Sequence, residues 1–445
     1  MRSFWISKVI SITNKTVFFA WSMQLIPVFK WKGINGGLPK NDKYMQKQFL
    51  KDRDIVLFSF QSWDSEIGFN LKDMAYELAK KNRVLFVNRA DDRASLMPDK
   101  KDGLFANKKT RENLEQVERN FWLYNSGLVL ESINWIAWSW LYDQFNKANN
   151  RRISKKINKA IRELGFQNVI LINDNDFYRG LYLKKMVRQC STYIFYIRDF
   201  LTIQPYFKKH GVRLEQQMIH NSDLVVANSG YLAKYAAKWN RYSYDIGQGC
   251  DLEAYQAIEY PMPADLAEIP HPVIGYCGAI TAMRLDESIV SHLAESFPEC
   301  SIVLVGPEDD FFRKSSLKDL KNVFFLGGKT PREVPSYISH FDICINPQLT
   351  NELTIGNYPR KIDEYLAMGK PTVATATDGM LIFKDNVFLC NSKKEYADQI
   401  RKILMDPNLS GDEIKRERIN FALSHTWENS IGLLGGAYFD SIKKN

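Results

Sequence analysis

Apolar and polar positions along this chain follow two rhythms. Continuous apolar runs closed by turn residues predict buried strands at IVLFSF (55–60), RVLFVN (83–88), NVILIN (168–173), TYIFYI (192–197) and DLVVAN (223–228). Between them, LKDMAYELAKK (71–81) and residues 151–164, 177–187, 205–220 and 229–239 carry helical spacing. A Pro-rich stretch, IEYPMPADLAEIPHP (258–272), interrupts the pattern. The alternation then restarts, with strands expected at 273–277, 301–305, 323–326, 341–346, 372–376 and 387–390. Helices are expected at 286–296, 331–339 and over 393–443. Strands separated by helices dictate parallel sheets covered on both faces. The fold class is therefore α/β, with two Rossmann-like domains whose parallel sheets face a central cleft. The expected division is a leader over 1–50, a first domain over 51–257, the linker 258–272, a second domain over 273–423 and a last helix over 424–445.

One stretch, NYPRKIDEYLAMGKPTVATA (357–376), reads as a short helix followed at once by a buried strand. Asn357 can cap the helix and Pro359 suits its first turn. Ile362, Tyr365 and Leu366 recur at core spacing, and Gly369 is placed for a left-handed stop before Pro371. Lys361 and Glu364, three residues apart, share the opposite face. Such a helix at a strand's carboxyl end offers N–H groups and cations to a phosphate or diphosphate, with Glu364 one turn on for a ribose hydroxyl. A plain surface helix with an Arg360–Glu364 ion pair is the alternative.

Composition narrows the setting. With 445 residues, 45% of them hydrophobic, the chain can bury large cores. Its six cysteines are scattered without CxxC or zinc spacing, which fits reduced, buried thiols and a cytoplasmic location. A net charge of +9 suits a solvated basic surface or attraction to anionic lipid, and no motif for nucleic acid accompanies it. The leader has an amphipathic start and an apolar run too short for a bilayer span, so it reads either as an interfacial anchor or as packing on the protein's own surface. FWLYNSGLVLESINWIAWSWLY (121–142) holds four tryptophans and is followed by the basic KANNRRISKKINK (147–159). Core packing accounts for part of it, and a membrane-interface face on the acceptor side accounts for the combination.

The helix–strand segment resembles the EYLA-x-GKP signature in the carboxyl-terminal domain of GT-B glycosyltransferases, in particular GT4-like, TuaH-like bacterial surface-polysaccharide enzymes. GYCGAI (275–280), VLVGP (303–307), NVFFLGGK (322–329) and FDICINP (341–347) support the likeness, as do SDLVVANSGYLAKY (222–235) and IGQGCD (246–251). It covers roughly 52–430 and is densest over 215–430. The resemblance implies a glycosyltransferase using a nucleotide-diphosphate sugar, UDP-linked, with no metal and no cofactor. Its acceptor would be a lipid-linked or polysaccharide glycan, at the inner face of the cytoplasmic membrane. In this family the final helix crosses back to the first domain, and HTWENSIGLLGGAYF (425–439) is the candidate.

The donor diphosphate needs its developing charge neutralised. Arg284, Arg360 and Lys361 are the candidate cations; Gly278, with Gly275, permits close backbone approach, and Glu364 takes the ribose. Many retaining members carry a second glutamate eight positions before the one at 364. That position here is Gly356, and Glu352 lies four residues out of register. An inverting route would need a base from the first domain, and Asp199 and Asp64 are the candidates. Each could instead cap a helix, or Asp199 pair with Arg198. Trp63, Asp174 and Arg198 are expected on the acceptor side. DND (174–176) also has the form of a metal–diphosphate triplet, but the diphosphate signals lie far downstream, so a metal is not expected. His210 and His220 read as core or surface histidines. Two other readings fit the architecture: a UDP-sugar 2-epimerase, and a membrane-associated scaffold without turnover.

Overall fold

The computed structural model describes residues 46–64, 70–93, 111–203, 205–256 and 259–443. All of these fall within the unit Met45–Asn445. The leader expected over 1–50 lies outside the described residues as far as position 45.

The first half contains strands β1 (Asp54–Ser59), β2 (Arg83–Val87), β3 (Asp91–Asp92), β4 (Asn113–Glu118), β5 (Phe121–Asn125), β6 (Val129–Leu130), β7 (Val169–Asp174), β8 (Cys190–Ile197), β9 (Leu224–Ala227) and β10 (Ser243–Asp245). Its helices are α1 (Asn70–Ala79), α2 (Ser139–Leu164), α3 (Leu183–Met186), α4 (Pro205–Lys208), α5 (Gly211–Asn221) and α6 (Gly230–Ala236). Eight strands form one sheet in the order β10-β9-β8-β7-β1-β2-β5-β4. Every pairing in it is parallel except β4 with β5. β4 closes the edge with a largely exposed NLEQVE, as an antiparallel edge strand can.

The second half supplies β11 (Val273–Cys277), β12 (Ser301–Val305), β13 (Val323–Phe325), β14 (Ile343–Asn346), β15 (Thr372–Thr375) and β16 (Phe388–Cys390). Its helices are α7 (Glu287–Ser296), α8 (Val334–Ser339), α9 (Lys361–Ala367), α10 (Lys393–Met405), α11 (Asp412–Leu423) and α12 (Trp427–Lys443). The six strands run parallel in the order β13-β12-β11-β14-β15-β16.

Alternating side chains of each buried strand feed cores on opposite faces. In the first sheet Val56, Phe58 and Leu171 meet Ile153, Ile157 and Ile161 of α2. Ile55, Leu57 and Phe86 point the other way, toward Leu71, Met74 and Leu78 of α1. That second core also holds Ile431, Leu434 and Ala437 of α12, so the last helix returns to cover the first sheet. Residues 46–50 lie along α12: the Gln48 amide donates to the Gly432 carbonyl at 3.0 Å.

Three local expectations change. The aromatic stretch from 121 supplies β5, a sheet strand: Phe121, Leu123 and Tyr124 are buried beside β2. α2 begins at Ser139, twelve residues before the expected start, because Tyr142, Asn146, Asn149 and Asn150 are buried at helical spacing despite their mixed polarity. The helix expected over 177–187 shrinks to α3, where turns centred on Gly180 take its first half.

Candidate active site

α9 follows a tight segment and precedes β15, as its sequence predicts, but it starts later. Helical geometry begins at Lys361, Arg360 occupies the cap position without a side-chain cap, and Asn357 lies outside. Tyr358 and Pro359 are buried, and the residue before a proline is biased away from helix. Ile362, Tyr365 and Leu366 are fully buried. Gly369 adopts φ +69°, its amide donating to the Leu366 carbonyl at 2.8 Å and that of Lys370 to Tyr365 at 3.1 Å. With seven residues the helix carries a short dipole, so the charge it offers comes chiefly from side chains.

The loop after β11 is built against it. The Tyr365 hydroxyl accepts from the Cys277 amide at 2.8 Å, and the Gly278 amide donates to the Val305 carbonyl at 2.8 Å. Gly278 has φ +146°, and a β-carbon there would lie 2.3 Å from the Lys361 ammonium. A β-carbon on Gly306, at the end of β12, would lie 1.8 Å from the Gly278 carbonyl oxygen. Two glycines thus let two strand-end loops and one cation converge. Lys361 Nζ donates to the Tyr276 hydroxyl at 2.6 Å and sits 3.9 Å from its ring centroid. Tyr276 in turn donates to the Ala279 carbonyl at 2.9 Å.

Glu364 stands one turn on. Burial pushes its carboxyl above the ordinary glutamate range, against the pull of Arg360 and Lys361, and the Tyr255 hydroxyl donates to it. Arg360 is aimed differently from Lys361: its guanidinium lies 3.7 Å from Asp73 on α1, across the cleft. Arg284 follows the same loop as Gly278, its carbonyl accepting from the Leu349 amide at 2.8 Å. Among the described residues, its guanidinium has no hydrogen-bond or ion-pair partner. Lys361, Gly278 and Glu364 are therefore brought together, Arg284 is left available, and Arg360 is engaged with the first domain.

On the opposite wall, Asp199 and Phe200 share a narrow crevice with Tyr231, Leu232, Glu352, Leu353, Gly356 and Asn357. The Ser229 hydroxyl donates to the Gly356 carbonyl at 2.9 Å across this gap. At Gly356 a β-carbon would fall 2.0 Å from the Tyr231 ring. The position where a retaining enzyme would carry its glutamate therefore has no room for any side chain. Glu352 opens instead onto the crevice that holds Asp199.

Arg198 ties together several of the residues expected on the acceptor side. Its Nε donates to Asp174 at 2.7 Å, its Nη1 lies 3.3 Å from Asp199, and its Nη2 donates to Gln61. Asp174 is fully buried and accepts from Ser59 at 3.0 Å, so it braces β1, β7 and β8 instead of lining the cleft. Asp176 is likewise buried and accepts from the amide and guanidinium of Arg179. The DND carboxylates thus face separate arginines, which is ion pairing and not a shared cation seat. Trp63 is only 9% exposed; its ring packs edge-on against Phe86 and Phe121 at 5.0 and 5.3 Å. It belongs to the core and not to the acceptor side, because the chain turns inward beside the Asn88 carboxamide, which accepts from the Trp63 amide at 2.9 Å. Asp64 is half-buried, with one carboxylate oxygen lacking a partner among the described residues. His210 is buried and stacked on Tyr142 at 3.9 Å, whereas His220 is exposed.

Sequence reasoning missed Tyr276, Tyr255 and Tyr231. Only the first had a usable signal: a hydroxyl-bearing ring between the two glycines of GYCG, at the end of a strand.

Residues 271–406 match the family described as Glycosyl transferases group 1. Over 170 residues the chain is 29% identical to the Bacillus subtilis (strain 168) protein TuaH, assigned to teichuronic acid biosynthesis as a glycosyltransferase. That match spans 36% of this chain and 42% of the relative's length. Among solved structures, sucrose-phosphate synthase of Thermosynechococcus elongatus superposes with a TM-score of 0.60 at 15% identity, over 88% of this chain and 100% of the other. Anabaena HepE in complex with UDP superposes with a TM-score of 0.58 at 16% identity, again over 88% and 100%. The chain therefore carries a glycosyl transferases group 1 domain over residues 271–406, set in the two-domain GT-B fold of glycosyltransferases.

Proposed function

We propose that the protein transfers a sugar from a nucleotide-diphosphate donor, UDP-linked, to a lipid-linked glycan acceptor in the assembly of a cell-surface polysaccharide. The transfer would take place at the cytoplasmic face of the membrane. The observation that carries this reading is the Lys361 ammonium held over Gly278, where two strand ends and α9 meet. Three further observations support the donor: the match of residues 271–406, the relationship to TuaH and the UDP complex of HepE.

In this reading the diphosphate lies along Gly278, its charge met by Lys361 and Arg284, and the ribose meets Glu364. Departure of the nucleotide leaves an oxocarbenium-like sugar, so cations fixed where negative charge grows lower the barrier. Asp199, on the facing wall, takes the proton of the acceptor hydroxyl as that oxygen bonds to the anomeric carbon. The closed position at Gly356 favours this inverting arrangement over one that needs a side chain there.

Calorimetry with UDP tests the donor half. Lys361→Ala and Glu364→Ala are each expected to weaken binding about tenfold or more, since a charged hydrogen bond is worth roughly 1.5–3 kcal/mol. Their melting temperatures should shift little. Unchanged UDP affinity in both variants would overturn the reading. Conversion of a UDP-sugar to its epimer without any acceptor would favour the epimerase instead.

A further inference from the structure

We propose that the segment Ser132–Trp140 docks the protein on an anionic lipid bilayer, its tryptophans entering the interface and one stripe of α2 meeting the headgroups. The inference deepens the membrane-side reading above and rests on it for the acceptor's origin, though the surface is argued from its own geometry.

Trp135, Trp138 and Trp140 are 75%, 65% and 68% exposed, and Phe145 joins them at 45%. Scattered exposed apolar residues are ordinary; three indoles within six positions are not. Their presentation is fixed from behind. Ile136, between the first two, is buried, and its carbonyl lies 2.8 Å from the His210 ring nitrogen. His210 stacks on buried Tyr142, and the Lys209 ammonium donates to the Trp135 carbonyl at 2.8 Å. The Trp135 indole N–H is satisfied by the Ser132 carbonyl at 2.9 Å. A rigid base with outward rings loses little side-chain entropy on insertion.

Charge selects the occupant. Lys147, Arg151 and Lys155 follow Trp140 at seven, eleven and fifteen residues, which places all four on one side of α2. All three cations are exposed, and none has an ion-pair partner among the described residues. Exposed Lys208 and Lys209 flank the loop, while Asp143, the nearest acid on the helix, is paired with Arg213 at 2.7 Å. Indole and cation side by side match the acyl–headgroup boundary of an anionic leaflet. A second copy of this chain would bring the same positive field against itself.

The position is apt for an acceptor carried in the membrane. The loop rests on Lys209 and His210, and the same stretch of chain begins at Asp199 and Phe200 in the interdomain crevice.

The test is co-sedimentation of the full-length protein with phosphatidylglycerol–phosphatidylcholine vesicles and with phosphatidylcholine alone. Binding is expected on the anionic vesicles. It should fall about tenfold or more in Trp135→Ser/Trp138→Ser/Trp140→Ser and in Lys147→Glu/Arg151→Glu/Lys155→Glu, both exposed sets that leave the core intact. Undiminished partitioning of the tryptophan variant would overturn the proposal. So would a concentration-dependent dimer in sedimentation velocity that the same substitutions abolish. UDP calorimetry on these variants separates the two readings. Lost vesicle binding with intact UDP affinity supports docking, whereas a parent protein that binds vesicles but no UDP defeats only the donor assignment.

Discussion

Glu215 shows how one residue can tie stability to pH. It is fully buried on α5, accepting from Tyr235 at 2.7 Å and from Thr202 at 3.3 Å. Burial raises its carboxyl from an ordinary 4.5 to about 7, more than those two bonds lower it. Between those limits the native state holds a proton that the unfolded chain has released, so stability falls as pH rises through this window and then levels off. Denaturant titrations from pH 4.5 to 7 should show a decline of roughly 2–3 kcal/mol in the parent. Glu215→Gln should flatten it. A decline of equal size in the variant would place its origin elsewhere. Tyr235 packs edge-on against Phe200, which lines the crevice with Asp199 and Tyr231, so the same titration bears on the order of that wall.

Among elements, α12 has the largest structural task relative to its place in the chain. It follows the second domain yet fills the first domain's core: Leu434 is fully buried among Leu71, Met74 and Leu78. Gly435 lets the segment 46–50 lie directly on the helix, since a β-carbon there would fall 1.9 Å from the Gln48 carbonyl oxygen. Leu434→Ala is expected to cost about 2–5 kcal/mol by chemical denaturation, the usual range for a core leucine removed. A loss near zero would mean that α12 is dispensable to the first sheet. α9 is the contrasting case, a helix of seven residues whose value lies in what it carries. Its core spacing and glycine stop were legible in the sequence because both follow from local rules. Its true start was not, because buried Tyr358 and Pro359 draw the chain inward before the helix can begin.

At the level of the molecule, polar contacts tie the two domains together across the cleft. Ser229 meets the Gly356 carbonyl, and Arg360 approaches Asp73 at 3.7 Å. At Gly356 the backbone of one domain lies against the Tyr231 ring of the other. Gly356→Ala should act as a wedge. Turnover is expected to fall about tenfold or more while UDP affinity changes less than about threefold, because misplacing reacting groups by an ångström is costly. Parallel measurement of transfer rate and UDP calorimetry checks this, and equal losses in both would contradict it.

Sequence by itself determined the alternation of strands and helices, the two parallel sheets, the core spacing and glycine stop of α9, and the clustering of tryptophan with basic residues. Each of these depends on periodicity or on neighbours a few positions apart. Tertiary structure alone decided that Trp63 is core, that Asp174 braces three strands, that Arg360 leans toward Asp73, and that no side chain fits at 356. These are contacts between residues far apart in the chain, where burial and packing choose among partners that local pattern leaves equivalent.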